Sequence, residues 1–545
     1  SKNPSNCPLH SSKGGKCLGW SGDTAHCFHC EGSWNIFCFV MENKGMNFAD
    51  ALEWLCENFG MSQEFEEHRK EWIRKNANPE EEDTEEGKIR SQFIELTAGK
   101  DKRWDDGTEL LVDYIKRKNY IYTTKSDTKS ETWIYEKGVY KPEGKSKIKS
   151  ILRNLLDKFY TVFVFNRVMD KIEPDTMIDA DSFFSTNYKW EIPLQNGILN
   201  IKTLELKPFD PKKVFFNKFP VKYEVGATCP QIEKFLKDVL ATPEDIDVFM
   251  EMVGFCLLKE YTFEKSFMLV GDGRNGKGKS LELIKRLIGI DNVCNVPLSS
   301  IVPDSFIISS FHNKMVNLAG DISNTALKDT SMFKALTGRD LISGKRKFLN
   351  PINFENYAKF IFACNELPFV YDNSRGFWDR WVLLEYPYSF VTPQEIEKAK
   401  NQECLKVRDN SIIDKITSDE EMSGFLNIAL LGLHRLLNNK RFSMTKGTEQ
   451  IKQLWIRRSN SFMAFMLDCL QEDYDGKIRK KDLRKSYIEY CKRHNVRPKS
   501  DWVIKKTLQE EMGVSEERLN EFSSTWDWYW TGVKFKQEIK LGSGL

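Results

Sequence analysis

No part of the sequence comes near the roughly 18 consecutive apolar residues that a bilayer-spanning helix needs. The polar start, Ser1 to Ser12, also lacks the basic-then-apolar order of a secretory signal. A soluble, intracellular and cytoplasmic protein without a membrane partner is expected. Missing too is any excess of one charge, since 81 Lys and Arg stand against 79 Asp and Glu, a net of +2. Without a global positive field, binding to nucleic acid must rest on a local patch. A disulfide framework is disfavoured by the length of the chain and by an odd count of 13 cysteines. Most stand singly in apolar runs (Cys256, Cys364, Cys469) and read as reduced core residues. The clustered carboxylates that would hold two metal ions for polymerisation chemistry are also lacking. Asp179-Ala-Asp181 is the one tempting pair and otherwise reads as loop.

What is present is ordinary globular material, 40% hydrophobic and 29% charged, in a chain of 545 residues. At about 150 residues per domain, that length implies three or four domains rather than one core. The chain starts at Ser1 rather than Met and ends Leu-Gly-Ser-Gly-Leu, which leaves room for a further upstream domain.

Cys7-Pro-Leu-His10, sixteen intervening residues and Cys27-Phe-His-Cys30 form two close pairs of metal ligands. Two residues between ligands let both side chains of a tight turn reach one ion, and Cys7, His10, Cys27 and Cys30 complete the tetrahedron of a structural zinc site. His26 and His29 are competing ligands whose spacing fits less well. Beyond the second pair come an apolar run, Trp34 to Met41, and an amphipathic helix that starts after Asn47. The stretch from Cys7 to Leu55 resembles the Cys-His-Cys-Cys zinc ribbon of DnaG-type primases, which implies engagement of single-stranded template. Trp20, Phe28 and Trp34 beside Lys13 and Lys16 would suit stacking and phosphate contact, or a small core.

The acidic run Pro79 to Glu86 reads as part of a solvated linker over residues 76–92. Beyond it, strand-like and helical segments alternate, at Thr132 to Tyr135, Ser146 to Phe159, Thr161 to Phe165, Gly197 to Ile201 and Gln231 to Leu240. One α+β domain is expected over 93–250. Asn196 to Thr203 with Pro208, and Cys229 to Leu236, look like the domain that precedes the helicase core in phage, plasmid and poxvirus-type primase-helicases.

Phe267-Met-Leu-Val270 reads as a buried strand, followed by Gly271-Asp-Gly-Arg-Asn-Gly-Lys-Gly-Lys-Ser280 and a helical pattern to Ile290. Strand, glycine loop and helix are the setting of a phosphate-binding loop. Gly273, four residues and Gly278-Lys279-Ser280 match its spacing. Gly273, Asn275, Gly276, Lys277, Gly278, Lys279 and Ser280 are therefore the candidate nucleotide-binding residues, with Lys279 on the β and γ phosphates of ATP and Ser280 on Mg²⁺. A second strand, Lys314 to Asp321, ends in a carboxylate 42 residues after Lys279. Asp321 would hold Mg²⁺ or orient the attacking water. A third, Lys359 to Asn365, ends in an amide able to position water, and Arg380 precedes the strand Val382 to Glu385.

The set from about Met252 to Phe390 resembles superfamily 3 helicases. The resemblance makes Lys279 and Ser280 motif A, Asp321 motif B, Asn365 the sensor and Arg380 an arginine finger for a neighbour's ATP. It implies an AAA+-like core over 251–440, a homo-oligomeric ring of six and 3′ to 5′ movement on single-stranded and forked DNA. Two departures stand out. Ile322 and Ser323 occupy the place of a second acidic residue, leaving Glu355 and Glu366 as weak candidates for a base. Asp379-Arg380 replaces paired arginines, leaving Arg375 as a possible partner. The segment Lys334 to Lys347 corresponds to the family's channel hairpin, so Lys345, Arg346 and Lys347 are the candidate DNA-binding residues.

Residues 441–545 read as helices and an aromatic strand pair in the order of a winged helix. A basic run covers Lys477 to Lys485, and Trp526, Trp528 and Trp530 alternate along a strand. Residues 1–75 would hold the ribbon and its helix. The expected whole is a multidomain α/β protein acting as an ATP-dependent DNA helicase in the replication of a virus or mobile element, with ATP, Mg²⁺ and Zn²⁺, and with a primase or polymerase as a possible partner. The alternatives are a primase or primase accessory subunit, favoured by the ribbon and opposed by the missing carboxylates, and a nonenzymatic nucleotide-gated ring on DNA.

Overall fold

The computed structural model describes residues 7, 9, 17–22, 24–65, 67–68, 84–98, 102–125, 130–184, 188–322, 327–347, 350–399, 402–494, 496, 498–520 and 526–536, with Ala49 by its backbone alone. The chain is a multidomain mixture of helices and sheets in two compact units, residues 1–123 with 143–177, and residues 124–142 with 178–545. The stretch 93–250, expected as one domain, is thus shared between them. Among the described residues, no helix is long and apolar enough to cross a membrane.

The first unit opens with a three-stranded antiparallel sheet, β1 (Leu18–Ser21), β2 (Thr24–Cys27) and β3 (Ser33–Asn35). Helices α1 (Ile36–Lys44) and α2 (Phe48–Asn58) follow. The Asn35 and Asn47 side chains cap them by accepting from the backbone N–H of Cys38 and Asp50. The acidic run does not stay a linker throughout. Residues 76–83 lie outside the described residues, but Thr84 caps α3 (Glu85–Thr97) and sets Glu85 and Glu86 in its first turn, where the helix dipole favours carboxylates. Glu86 also accepts from the Tyr114 hydroxyl on α4 (Trp104–Lys118) at 2.9 Å. Helices α5 (Gly144–Leu156) and α6 (Val162–Asp175) complete this unit. The segment Thr161 to Phe165, expected to be strand-like, is instead the cap and first turn of α6, because the Thr161 hydroxyl accepts from Val164 N–H.

The second unit contains the hairpin β4 (Thr132–Glu136) and β5 (Val139–Lys141), and a small sheet of β6 (Glu191–Pro193), β7 (Ile198–Asn200) and β8 (Leu206–Lys207). Asp179, weighed as a metal ligand, instead accepts from Ser182 N–H at 2.9 Å at the head of a short helix. Helices α7 (Pro230–Val239) and α8 (Pro243–Phe255) lead into a five-stranded parallel sheet. Its strands are β9 (Ser266–Val270), β10 (Val293–Cys294), β11 (Val316–Ala319), β14 (Lys359–Cys364) and β15 (Trp381–Glu385), in the order β10-β11-β14-β9-β15. Every residue of β9, β11 and β14 is buried, which is why these strands read as continuous apolar runs rather than alternating ones. Helix α9 (Lys277–Ile288) follows β9, and α10 (Ser331–Thr337) with the hairpin β12 (Leu341–Gly344) and β13 (Ile352–Glu355) lies between β11 and β14. The four-residue helix α11 (Arg375–Trp378) precedes β15.

Helix α12 (Asp419–Asn439) packs backbone to backbone on α8, where a Cβ at Gly254 would stand 2.3 Å from the Ala429 carbonyl oxygen. The last part runs α13 (Thr448–Ser459), α14 (Ser461–Cys469), β16 (Leu470–Arg479), α15 (Lys480–Arg493), α16 (Asp501–Met512), β17 (Ser515–Leu519) and β18 (Asp527–Phe535). Its strands pair antiparallel in the order β16-β18-β17 over their own apolar core.

One buried carboxylate ties the sheet's flanking helices together. Glu421, in the first turn of α12, accepts from the backbone N–H of Gln231 (3.1 Å) and Ile232 (3.0 Å), the orphan donors at the start of α7. Replacing Glu421 with alanine takes the acceptor from both donors and leaves the Ile232 N–H buried without it. It should lower the unfolding free energy of this unit by about 2–3 kcal/mol, read as a shift in denaturant midpoint.

Candidate functional site

The loop between β9 and α9 holds the candidate nucleotide site. Gly276 sits at φ +93°, a conformation that L side chains rarely adopt, and turns the chain so that α9 begins at Lys277. Lys277 is buried, and its ammonium donates to the carbonyls of Gly271 (2.6 Å) and Asp272 (3.1 Å) and to the side-chain oxygens of Asn275 and Asn365 (3.1 Å each). Burial holds this ammonium below the ordinary lysine value, Cys364, Asp321 and Asp272 pull it upward, and the Arg458 guanidinium adds to the lowering.

Here the structure differs from the expected frame. Lys279 is exposed and Lys277 is the lysine turned into the loop. The letters also fit a frame that starts at Gly271, the residue that follows β9. Counted from there, four residues separate Gly271 from Gly276-Lys277. In this frame Gly278 follows the lysine, and Ser280, expected to follow it, is wholly buried beside the Tyr386 hydroxyl. A Cβ at Gly273 or Gly278 would meet nothing within 4 Å, so both positions face open space. Asn275 is buried and turns its side chain to the Tyr386 carbonyl (3.4 Å) and Lys277.

Asp321 and Asn365 follow the ends of β11 and β14, and both line one cleft of about 1430 Å³ with Gly271, Asp272, Gly273 and Glu366. Of the two weak base candidates, Glu366 is thus at the cleft, while Glu355 closes the hairpin opposite Leu341. Ser323 lies outside the described residues. The other wall of the cleft was not legible in the sequence. It includes Arg457 and Arg458 of α13 and Tyr490, Lys492 and Lys499 of the C-terminal part. No spacing rule links these residues to a loop about two hundred positions earlier.

Arg380 does not project. Its guanidinium donates to Thr337 Oγ1 (2.8 Å), the Gly376 carbonyl and Glu264 (3.2 Å), and its side chain is only 15% exposed. Arg375, at the start of α11, is 89% exposed and pairs with Asp379 at 3.1 Å, one helical turn on. The hairpin residues divide in a similar way. Lys345 and Lys347 are exposed, whereas Arg346 makes a two-pronged ion pair with Glu131 at 2.9 and 3.2 Å.

In the first unit, the sulfurs of Cys7, Cys27 and Cys30 lie within 4.8 Å of one another, the one such metal-ligating group among the described residues. His10 lies outside the described residues. Three thiols converging from a strand end and a tight turn make a donor set of the softness and spacing that zinc takes. His26 is turned to Ser33 Oγ at 2.7 Å instead. Phe28, in the turn, is 72% exposed, while Trp20 and Trp34 pack edge-on against Phe39. In the C-terminal sheet Trp526 and Trp528 are exposed and Trp530 is buried, with the Lys480 ammonium over the rings of Trp528 and Trp530 at 5.2 and 4.5 Å.

Comparison with known proteins gives partial matches. Residues 69–241 match a family described as D5 N terminal like, and residues 269–380 match a family of unknown function, DUF5906. A protein of Acanthamoeba polyphaga mimivirus named as a helicase is 22% identical over 342 residues, which is 59% of this chain and 34% of that one. A protein of Sputnik virophage, also named as a helicase, is 22% identical over 360 residues, 62% of this chain and 44% of that one. The chain thus spans less than half the length of these curated relatives. Among solved structures, the apo NrS-1 C-terminal region is similar at 12% identity and a TM-score of 0.42, covering 78% of this chain and 98% of that one.

A pH dependence follows from the hairpin's surroundings. His312 stacks edge-on with Phe184 (5.5 Å) and Phe354 of β13 (5.2 Å), and burial, with help from the Arg346 charge, pushes its imidazole down to about 4. The unfolded chain takes up that proton first, so the contribution of neutral His312 is complete above a pH of about 6.5 and is lost as the pH falls toward about 4. Denaturant melts of the wild type should lose up to about 1.4 kcal/mol per pH unit across that window. His312→Gln should flatten this slope.

Proposed function

We propose that this chain is the motor part of an ATP-driven DNA helicase of the superfamily 3 primase-helicase type, serving replication of a virus or mobile element. The observation that carries the reading is the convergence of a glycine loop with its buried lysine, a strand-end carboxylate and a strand-end amide on one cleft of a parallel sheet. Strand order, loop position and the two helicase-named relatives support it further.

In this reading Lys277, rather than Lys279, is the residue that contacts the phosphates of ATP. Its present acceptors are loop carbonyls and Asn365, which phosphate oxygens would replace. The loop N–H groups of 273–278 wrap the phosphates. Mg²⁺, when bound with ATP, neutralises developing charge on the phosphates, and Asp321 is the carboxylate that would hold it. Asn365 orients the attacking water, and Glu366 is the nearer candidate to take its proton. Because Arg380 is engaged within its own chain, exposed Arg375 is the better candidate to reach a neighbour's ATP in a ring, with six copies and 3′ to 5′ movement taken from the family. Lys345 and Lys347 contact the DNA backbone, and Arg346 joins them only if it leaves Glu131. The AAA+-like core, a zinc ribbon at Cys7, His10, Cys27 and Cys30 that engages template, and a C-terminal winged helix complete the proposal. The cysteine cluster also favours a second reading, a primase accessory role in which the ribbon holds the template for a primase or polymerase.

Strand displacement on forked DNA with a 3′ tail is the test. ATP turnover and unwinding should fall by roughly 100-fold in Lys277→Ala and only a few-fold in Lys279→Ala. Unwinding that survives Lys277→Ala would overturn the reading, and loss confined to Lys279→Ala would restore the other frame. For the ribbon, metal analysis of the purified chain should find a single zinc ion that Cys27→Ser removes, with ATP turnover left intact.

A further inference from the structure

The cleft at the glycine loop has a cationic wall that neither the motif nor the helicase-named relatives assign. Arg457 and Arg458 close α13, a helix beyond the parallel sheet, and both line the cleft. They are held differently. Arg457 pairs with Asp468 of α14 at 2.9 Å, a partner in its own neighbourhood. Arg458 pairs with Glu385, the last residue of β15, at 2.8 Å, and the other oxygen of Glu385 takes Lys446 at 3.4 Å.

We propose that Arg458 is a cis contact to the polyphosphate of the bound nucleoside triphosphate, released to it from Glu385. The inference rests on the nucleotide reading of the cleft. Four observations lead to it. The Arg458 guanidinium shares the cleft with Gly271 to Gly273, Asp321 and Asn365. It stands near enough to Lys277 to press on that ammonium's charge. Its helix is pinned, since Trp455 is buried against Trp381 (4.9 Å) and Trp378 (5.7 Å) and donates to the Pro368 carbonyl at 2.8 Å. Finally, Glu385 does not lose its charge partner if Arg458 swings away, because Lys446 remains. A planar guanidinium suits the non-bridging oxygens of a phosphate better than one oxygen of a carboxylate whose other oxygen holds a lysine.

The test uses the full chain and a fluorescent ATP analogue, with ATP and ADP as competitors and a melting curve for each variant. Arg458→Ala should weaken ATP binding by about tenfold, with Arg458→Lys recovering part of the loss. Glu385→Gln, which frees the arginine, should bind at least as tightly as the wild type. Wild-type affinity in Arg458→Ala, while the wild type itself binds ATP, overturns this inference alone. So does an equal loss in Arg458→Ala and Glu385→Gln, because the ion pair would then be structural. A wild-type chain that binds no nucleotide overturns the functional reading, and this inference with it.

Discussion

Parallel strands joined by helical crossovers all point the same way, so their carboxyl ends meet along one edge of the sheet. That constraint gathers the candidate site. In the register of β9 with β14, Val270 stands opposite Cys364, so Gly271 and Asn365 leave the sheet at the same level. In that of β11 with β14, Ala319 stands opposite Phe362, which brings Asp321 out one step behind them. The contact between the Lys277 ammonium and Asn365 follows from this registration, although 88 positions separate the two residues.

Cations decide how the rest of the second unit is wired. An arginine has five donors in a rigid fork, and where acceptors lie within reach it becomes a strut rather than a projecting charge. Arg380 is spent in this way on Thr337, Gly376 and Glu264, and Arg346 on Glu131. Lys277 differs because its acceptors are two loop carbonyls and two side-chain amides, neutral groups that a phosphate can displace without leaving a buried carboxylate unpaired. Arg458 stands between these cases, with a charged partner that keeps a second cation.

Much of this architecture is readable before folding is considered. The continuous apolar runs of β9, β11 and β14 identify buried strands because parallel strands are covered on both faces. The spacing of Cys27 and Cys30 puts two thiols on one tight turn, and the fold brings Cys7 to them. Beyond residue 447 the helices follow from apolar periodicity but the strand β16 between them does not, and Asn460 separates α13 from α14 by capping the second, accepting from Phe462 and Met463 N–H. Where reading by pattern went astray, a local rule overrode it. Thr84 and Thr161 are caps, and a cap turns an acidic run or an apolar pentad into the first turn of a helix.

The amino-acid sequence by itself determined the strand, glycine loop and helix, the strand-end Asp321 and Asn365, and the turn that pairs Cys27 with Cys30, since each rests on spacing within a few residues. Only the tertiary structure decided which lysine enters the loop, because that depends on the Gly271 and Asp272 carbonyls and the Asn365 amide, acceptors that the fold gathers around the Lys277 ammonium. It also decided that Arg380 and Arg346 are bound internally and that α13 supplies the cleft's second wall. These outcomes turn on which acceptors come within hydrogen-bond reach of a long side chain. Such acceptors lie far away in the chain, and no periodicity records them.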